Sequence, residues 1–525
     1  MGVFVVMGRG APKQLACRPR RPPPECAEAA HDRTAHLPHG PGRSGHRHHG
    51  IALRNGRRAR RVLLHEAKDR SDTLRPMSHG VATDPHRPRG NPWPGVRPGL
   101  LMFGAAVTLR AAYAWVATGP HARPFSDPAT YDTVAWNLVR GAGFSLEGAG
   151  GPYPTAFVPP VLPWITSLLY RVVGHDYFAA VLLGCVIGGL VPLLLSAFAT
   201  RMFGSAVGRL AGWLAVVHPL LVFFCGYLLT ETPFTVTLLL ALLLSVEWVK
   251  TPRSGRAFGT GIAWGLASLT RPTALLMPAL VAAWAWVPLG LTLPARGRLR
   301  QVALLLLGLA LAVGPWTLRN ALVLHAFVPV TTGAGGALLV SNNPEVWGDP
   351  ALRGGATSGF WDDLVRTEYH GLSETEVDVR AGARARAFLR EHAAKWPAMA
   401  AAKLSRFWRL SAEAGTTGSW QRPGSPLARV LRAADPLFLW SAVVIPLALW
   451  GLGLSLRGPR RWFQSLSLWV ILYFTWLAVV FFGSLRMRLP IEPLVVLFAA
   501  AGLDDLWRRL RARRHGLKLV ARRSV

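Results

Sequence analysis

The strongest constraint on this chain is a repeated length. Apolar runs, most of them roughly 18 to 24 residues, recur from Gly99 to Leu506, and such runs are long enough to cross the hydrocarbon core of a bilayer. The runs are 98–118, 177–200, 208–228, 232–249, 257–270, 272–291, 300–318, 436–456, 463–482 and 490–507. Their apolar residues are continuous and do not alternate, which points to helices and away from a membrane β-barrel. The run 257–270 is short and is cut from its neighbour by Arg271-Pro272, where Pro breaks a continuous helix. The expected fold is an all-α polytopic membrane protein with about ten transmembrane helices, within a range of roughly 9 to 13.

Composition agrees. The chain is 51% hydrophobic and 16% charged, whereas about a quarter of the residues of a soluble domain are charged. The net charge of +32 would suggest a nucleic-acid partner in a soluble protein. Here the basic residues sit between apolar runs, where they set topology, and no nucleic-acid partner is expected. Cys17 and Cys26 lie in a polar tail, Cys185 and Cys225 lie inside apolar runs, and no spacing resembles a zinc site.

Residues 1–97 read as a separate, disordered basic tail, rich in Arg, Pro, Gly and His and too poor in large apolar residues to bury a core. His36, His39, His46, His48 and His49 form a His-rich tract whose simplest reading is part of that tail. The apolar stretch Gly2–Met7 is too short for a signal-peptide core, and Met77, just before the first run, is a candidate for the true start.

Basic residues in short loops orient the rest. Arg201 and Arg209, then Lys250, Arg253 and Arg256, then Arg296, Arg298 and Arg300, then Arg457, Arg460 and Arg461 mark four turns, and the tail 508–525 is also basic. With ten spans all five fall on one side, which predicts a multi-pass plasma-membrane protein with both termini cytoplasmic. The chain then divides into an N-terminal transmembrane module, 98–318, an extracytoplasmic or juxtamembrane segment, 319–435, C-terminal spans over 436–507, and the basic tail. The first module carries a long outer loop, 119–176. In that loop Asp127-Pro128 suits a helix start, Asp capping free amides and Pro fitting the first turn, and a short amphipathic helix is expected over about 129–140. The Pro-rich stretch from Tyr153 to Tyr170 reads as a helix on the outer face. In the second outer segment, 373–412 reads as helical.

Ionisable residues at the outer ends of spans are costly and therefore informative. They are Asp127, Asp132, Glu231, Arg271, Arg319, Arg486 and Arg488. Guanidinium groups bind phosphate bidentately and a carboxylate can take a proton from a nucleophile, so the set suits a phosphate-bearing substrate. Each has a blander reading as well. Asp127 can serve only as a helix cap, Asp132 can be merely solvated, Glu231 can simply begin a helix, and each arginine can anchor a helix end at headgroups. Arg110, inside the first run, needs a partner or a path to water.

These residues lie in segments that resemble the GT-C type integral-membrane glycosyltransferases, in particular the protein-mannosyltransferase-like branch that uses polyprenyl-phosphate sugars. The matching pieces occur in order over about residues 98–507. They are Asp127-Pro-Ala-Thr-Tyr131 with Gly141 and Gly143-Phe144, Pro159-Pro-Val-Leu-Pro163 through Tyr170 and Gly174, and Thr230-Glu231 with Phe234. Leu269-Thr-Arg271-Pro272, Gly314-Pro-Trp316 with Arg319-Asn320, and Arg486-Met-Arg488-Leu-Pro490 with Pro493 complete the set. The resemblance implies a glycosyltransferase acting on the outer face with inversion. Asp127 would be the general base on an acceptor hydroxyl, and Arg486, Arg488 or Arg271 would hold the lipid phosphate. Tyr131, Asp132, Glu231 and Arg319 complete the expected substrate-binding set. The implied partners are a polyprenyl-phosphate sugar, a lipid, glycan or protein acceptor, and the bilayer. Members of the family differ in their use of a divalent metal. Where the family often has a second acid, this chain has Pro128, so no adjacent acidic pair marks a metal site. The competing class is a secondary transporter or lipid flippase, which would favour mid-membrane polar groups and internal repeats; the sequence shows one mid-span Arg and no repeat.

Overall fold

The computed structural model describes residues 93–357, 359–411, 434–458 and 461–523. The basic segment before residue 93, with its His tract, Cys17, Cys26 and Met77, lies outside the described residues, as do 412–433.

The protein is an all-α, multi-pass membrane protein, and every apolar run falls on a helix or a bent helix pair. Helix α1 (Val96–Ala117) leads to α2 (Asp127–Val139), a two-stranded antiparallel hairpin of β1 (Ser145–Gly148) and β2 (Gly151–Pro154), and α3 (Val161–Val173). Then come α4 (Tyr177–Phe203), α5 (Ser205–Val217), α6 (Pro219–Phe223), α7 (Glu231–Lys250), α8 (Ser254–Thr270), α9 (Met277–Gly290) and α10 (Ala295–Leu324). The second long connection holds α11 (Ala334–Leu339), α12 (Pro344–Gly348), α13 (Gly359–Thr367), α14 (Glu374–Glu391) and α15 (Trp396–Phe407). The last elements are α16 (Pro436–Arg457), α17 (Arg461–Val480), α18 (Leu485–Arg488) and α19 (Glu492–Arg523).

Among the described residues, seven helices are long and apolar enough to cross a membrane, or eight if the pair Ser205–Val217 and Pro219–Gly226, bent by 53°, is one span. Helix α8 has 17 residues, and the apolar part of α19 is bracketed by Glu492 at its start and by Asp504 and Asp505, yet both pack inside the bundle, α8 on α10 and α7, α19 on α16 and α5.

Two boundaries differ from expectation. Helix α1 begins at Val96, inside the stretch assigned to the tail, and α10 runs on to Leu324, so Arg319 and Asn320 sit on a span's last turns and not in a loop. Helix geometry simply continues until His325 adopts a left-handed conformation, φ 52°.

Small residues close the bundle. A Cβ at Gly261 would lie 2.0 Å from the Leu305 carbonyl oxygen, and one at Gly308 would lie 2.3 Å from that of Phe258, so α8 and α10 cross backbone to backbone. Several hydroxyls buried within spans are satisfied locally. Thr235 donates to the Glu231 carbonyl at 2.8 Å and Ser245 to that of Ala241 at 2.7 Å.

The same accounting assigns Arg110. Pro219 has no N–H, so the bend between α5 and α6 leaves carbonyls of α5 without their helical donor. The buried Arg110 guanidinium supplies donors instead, to Ala215 at 3.1 Å and to Val216 at 3.2 Å.

The two ends of the bundle are distinct. At one end Arg201 pairs with Glu247, Lys250 donates to the Arg201 carbonyl at 3.0 Å, and Gln464 donates to that of Met202 at 3.3 Å. At the other end lie the α1–α4 connection, the start of α7, the end of α8, and the segment between α17 and α19. The second long connection docks there too. The buried Lys403 ammonium caps α17, donating to the carbonyls of Val479 at 3.1 Å and Val480 at 3.3 Å and to Asn342 Oδ1 at 2.8 Å.

Candidate active site

The first wall of the site is α2. Its cap position is Ser126, held at φ 55° and ψ −133°, a conformation costly for a residue with a Cβ. Asp127 is therefore the first helical residue and not the cap expected from Asp127-Pro128. Helix α2 ends where Gly141 and Gly143, φ 81° and 72°, turn the chain into the hairpin. Asn137, buried on α2, donates to the Ser145 carbonyl at 3.0 Å and ties helix to hairpin.

Four expected residues meet here in one buried ionic cluster. The Arg486 guanidinium on α18 donates through Nη1 to Asp127 Oδ2 and through Nε to Glu231 Oε1. Arg271, in the break after α8, pairs with the same Glu231 oxygen at 2.9 Å and approaches Met487 Sδ at 3.7 Å. Asp127 and Glu231 are 2% and 0% exposed. Burial works against the Arg486 charge, but Glu231 and Asp127 outweigh it and hold the guanidinium above its ordinary range. Tyr131, one turn beyond Asp127, is buried beside the cluster. Burial, then the charges of Asp127 and Glu231, push its phenol well up, so it stays protonated.

The structure does not bring the other three residues into this cluster. Asp132 faces the opposite way, accepting from Tyr170 at 2.5 Å and pairing with His175 Nε2 at 2.9 Å, while Trp136 stacks on His175 with centroids 4.6 Å apart. Arg319 donates to the carbonyls of Phe144 at 2.9 Å and Thr155 at 2.7 Å and lies over the Trp316 ring, so it holds the hairpin against α10. Arg488, two residues from Arg486, pairs with Glu492 at 2.5 Å and donates to the carbonyls of Phe407 and Arg409 at 3.2 Å and 2.6 Å. Adjacent positions of a helical turn point apart, and each of these arginines found carbonyls to satisfy instead of a cavity.

Sequence reasoning missed His175, His218 and Glu492. His218 stands at the α5–α6 bend and pairs with Glu492 at 3.2 Å. An isolated ionisable residue inside an apolar run was the available signal.

Among the described residues no group of three or more His, Cys, Asp or Glu is placed to hold a metal ion. The donor set at the cluster does not fit a resident divalent ion, because the two acids that meet here are bridged by a guanidinium.

Residues 158–317 match the family model described as dolichyl-phosphate-mannose-protein mannosyltransferase. That segment is similar to the mannosyltransferase family. The matched segment contains Glu231 and Arg271; Asp127, Arg319, Arg486 and Arg488 lie outside it. No curated relative matches the chain by sequence. In fold the chain is similar to an Archaeoglobus fulgidus oligosaccharyltransferase tethered to an acceptor peptide containing the NVT sequon, at 14% identity and a TM-score of 0.50, covering 80% of this chain and 50% of that one. Another structure of the Archaeoglobus fulgidus enzyme, AglB in complex with an inhibitory peptide and a dolichol-phosphate, matches at 14% identity and a TM-score of 0.49, covering 80% and 51%. ArnT from Cupriavidus metallidurans, bound to undecaprenyl phosphate, matches at 16% identity and a TM-score of 0.35, covering 77% of each chain. The chain spans about half the length of the archaeal oligosaccharyltransferases it matches.

Proposed function

We propose that the protein is a glycosyltransferase that moves a sugar from a polyprenyl-phosphate donor to an acceptor hydroxyl, with inversion, on the extracytoplasmic face of the plasma membrane. The observation that carries this reading is the Arg486 guanidinium lying between carboxylates of two separate elements, α2 and α7, with Arg271 behind them. Loop charges support the orientation: Arg201, Lys250 and Arg256 belong to the opposite end, which reads as cytoplasmic, together with both termini.

In this reading Asp127 takes the proton of the acceptor hydroxyl as its oxygen bonds to the anomeric carbon. The bond from that carbon to the phosphate oxygen breaks, and its electron pair leaves with the lipid phosphate. Arg486 and Arg271 hold that phosphate and stabilise the charge that gathers on it. Glu231 keeps the two guanidinium groups at a fixed spacing. Tyr131 lies beside the same cluster. Asp132, Arg319 and Arg488 act by holding α2, the hairpin and α18 in place.

The test is transfer by purified protein from radiolabelled polyprenyl-phosphate sugars to acceptors in a membrane extract. The parent should transfer from at least one donor, and Asp127→Asn should lower the rate by about 10²–10⁴-fold, the range for a lost general base. A parent inactive with every donor would overturn the reading; full activity in Asp127→Asn would overturn the base.

A further inference from the structure

We propose that Lys403 is a positioning residue for Arg486: its ammonium fixes the point at which the arm carrying Arg486 leaves the end of α17. This rests on the function proposed above. The arm, residues 481–488, leads from α17 toward α19, and α15 holds it at both ends. Beyond Arg486, the Arg488 guanidinium donates to the carbonyls of Phe407 and Arg409, where α15 ends. Before Arg486, Lys403 Nζ donates to the last carbonyls of α17, Val479 at 3.1 Å and Val480 at 3.3 Å, and to Asn342 Oδ1 at 2.8 Å. The near end is stitched further. Ser341 Oγ donates to the Phe481 carbonyl at 2.5 Å, and the Gly483 N–H donates to that of Gly354 at 2.9 Å. A Cβ on Gly483 would lie 1.9 Å from the Lys403 carbonyl oxygen, so the arm runs directly on the α15 backbone.

The two anchors differ in charge balance. Arg488 has Glu492 as its counter-ion. Lys403 is 2% exposed, its three acceptors are neutral, and among the described residues it has no acidic partner. The charged groups on the elements around it are Glu345, Arg353, Arg406, Arg486 and Arg488. None of them offsets its charge: burial alone pulls the ammonium from 10.5 down to about 8. A buried cation without a counter-ion lowers stability, so stability does not explain an ammonium at this place. Its geometry does. Three N–H donors on one atom tie two carbonyls of a span to a side chain of the outer connection, and so set the direction in which Arg486 reaches Asp127 and Glu231. A neutral amine has two donors for the same three acceptors, and one of those ties is lost. In the proposed reaction Arg486 stabilises charge that gathers on the leaving phosphate, while Arg271 also holds the bound donor. A misplaced Arg486 therefore weakens the transition state more than it weakens donor binding.

The experiment follows the purified full chain in detergent over about pH 7 to 9.5, the range in which a lysine pulled down by burial loses its proton. It measures turnover at saturating undecaprenyl-phosphate sugar, the donor KM and the melting temperature, for the parent, Lys403→Met and Lys403→Gln. The two readouts move in opposite directions. The ammonium is depressed in the fold, so the contribution of Lys403 to stability rises as pH climbs through about 8 toward 10.5, and the parent should gain melting temperature relative to Lys403→Met. Parent turnover should fall over the same range as the tie is lost. Lys403→Met should lack that alkaline fall, and at neutral pH its turnover should be lower by at least about tenfold, with the donor KM within about threefold. Lys403→Gln, which keeps a donor without the charge, should also lack the alkaline fall. A merely structural lysine would lower turnover and melting temperature together, with no such opposition. Parent turnover that stays level through about pH 8, a reading that needs neither variant to fold, or a folded Lys403→Met with parental turnover, overturns the positioning role and leaves the proposed transferase standing. A parent inactive with every polyprenyl-phosphate sugar overturns the proposed function itself.

Discussion

Two buried ionic networks lie two residues apart on α18, and they are built differently. Around Arg488 both carboxylate oxygens are engaged: Glu492 spends one on Arg488 and the other on His218, and Arg488 Nη1 reaches the carbonyls that end α15, while His218 Nδ1 has no hydrogen-bond partner. Around Arg486 the partners come from α2, α7 and the break after α8, and Glu231 Oε2 has no hydrogen-bond partner. Buried polar atoms are ordinarily paired, so an open network is where a further group is to be expected. The Arg488 network is how the second long connection grips the arm that carries the open one.

That contrast can be broken by substitution. The largest effect belongs to Arg486→Gln. It removes the charge shared by two buried carboxylates, and transfer should fall by at least about 10²–10³-fold, as for other lost transition-state donors. Radiolabelled transfer at saturating donor reads it, and retention of more than a tenth of the activity would break the assignment of Arg486 to the open network. Arg488→Gln should cost about 3–5 kcal/mol of stability, because Glu492 is left buried without its cation. Its melting temperature in detergent should drop clearly, while lipid-phosphate affinity of the folded fraction should stay within about twofold, well below 1 kcal/mol. A selective loss of that affinity would move Arg488 into the substrate site. Arg319→Met removes two charge-assisted hydrogen bonds to the hairpin and should destabilise by about 1.5–3 kcal/mol. Proteolysis between Ser145 and Pro154 should rise with it. The smallest effect is at Ser126. Ser126→Gly relieves a positive φ at the entry to α2 and should leave stability unchanged or raise it by about 1 kcal/mol or less; a marked fall in melting temperature would show that the strained serine makes a contact that glycine cannot replace.

Much of this was legible before any coordinates. Run length and the loop arginines placed the helices and put Asp127, Glu231, Arg271 and Arg486 at one end of the bundle. The errors have local physical causes. Asp127-Pro128 carries the signature of a helix cap, but the cap position fell one residue earlier because Ser126 turned the chain. Arg319 reads as the start of the outer segment because the apolar run ends at residue 318, whereas α10 continues until His325. Arg110 donates to the Ala106 carbonyl one turn back, but the two carbonyls at the α5–α6 bend that it also serves belong to residues more than a hundred positions away, which no local pattern reveals.

The sequence by itself determined the all-α spanning architecture, because a bilayer accepts only backbone that satisfies its own hydrogen bonds. It also determined which ionisable residues stand at span ends, since each is conspicuous against apolar neighbours. Only the tertiary structure decided which of them share a site. Asp127 and Asp132 lie on one short helix, and Arg486 and Arg488 on one turn, yet within each pair the first joins the cluster and the second is spent on the scaffold. The reason is geometric: residues two or five apart on a helix point in different directions, and what each meets there depends on distant segments that arrive only when the bundle closes.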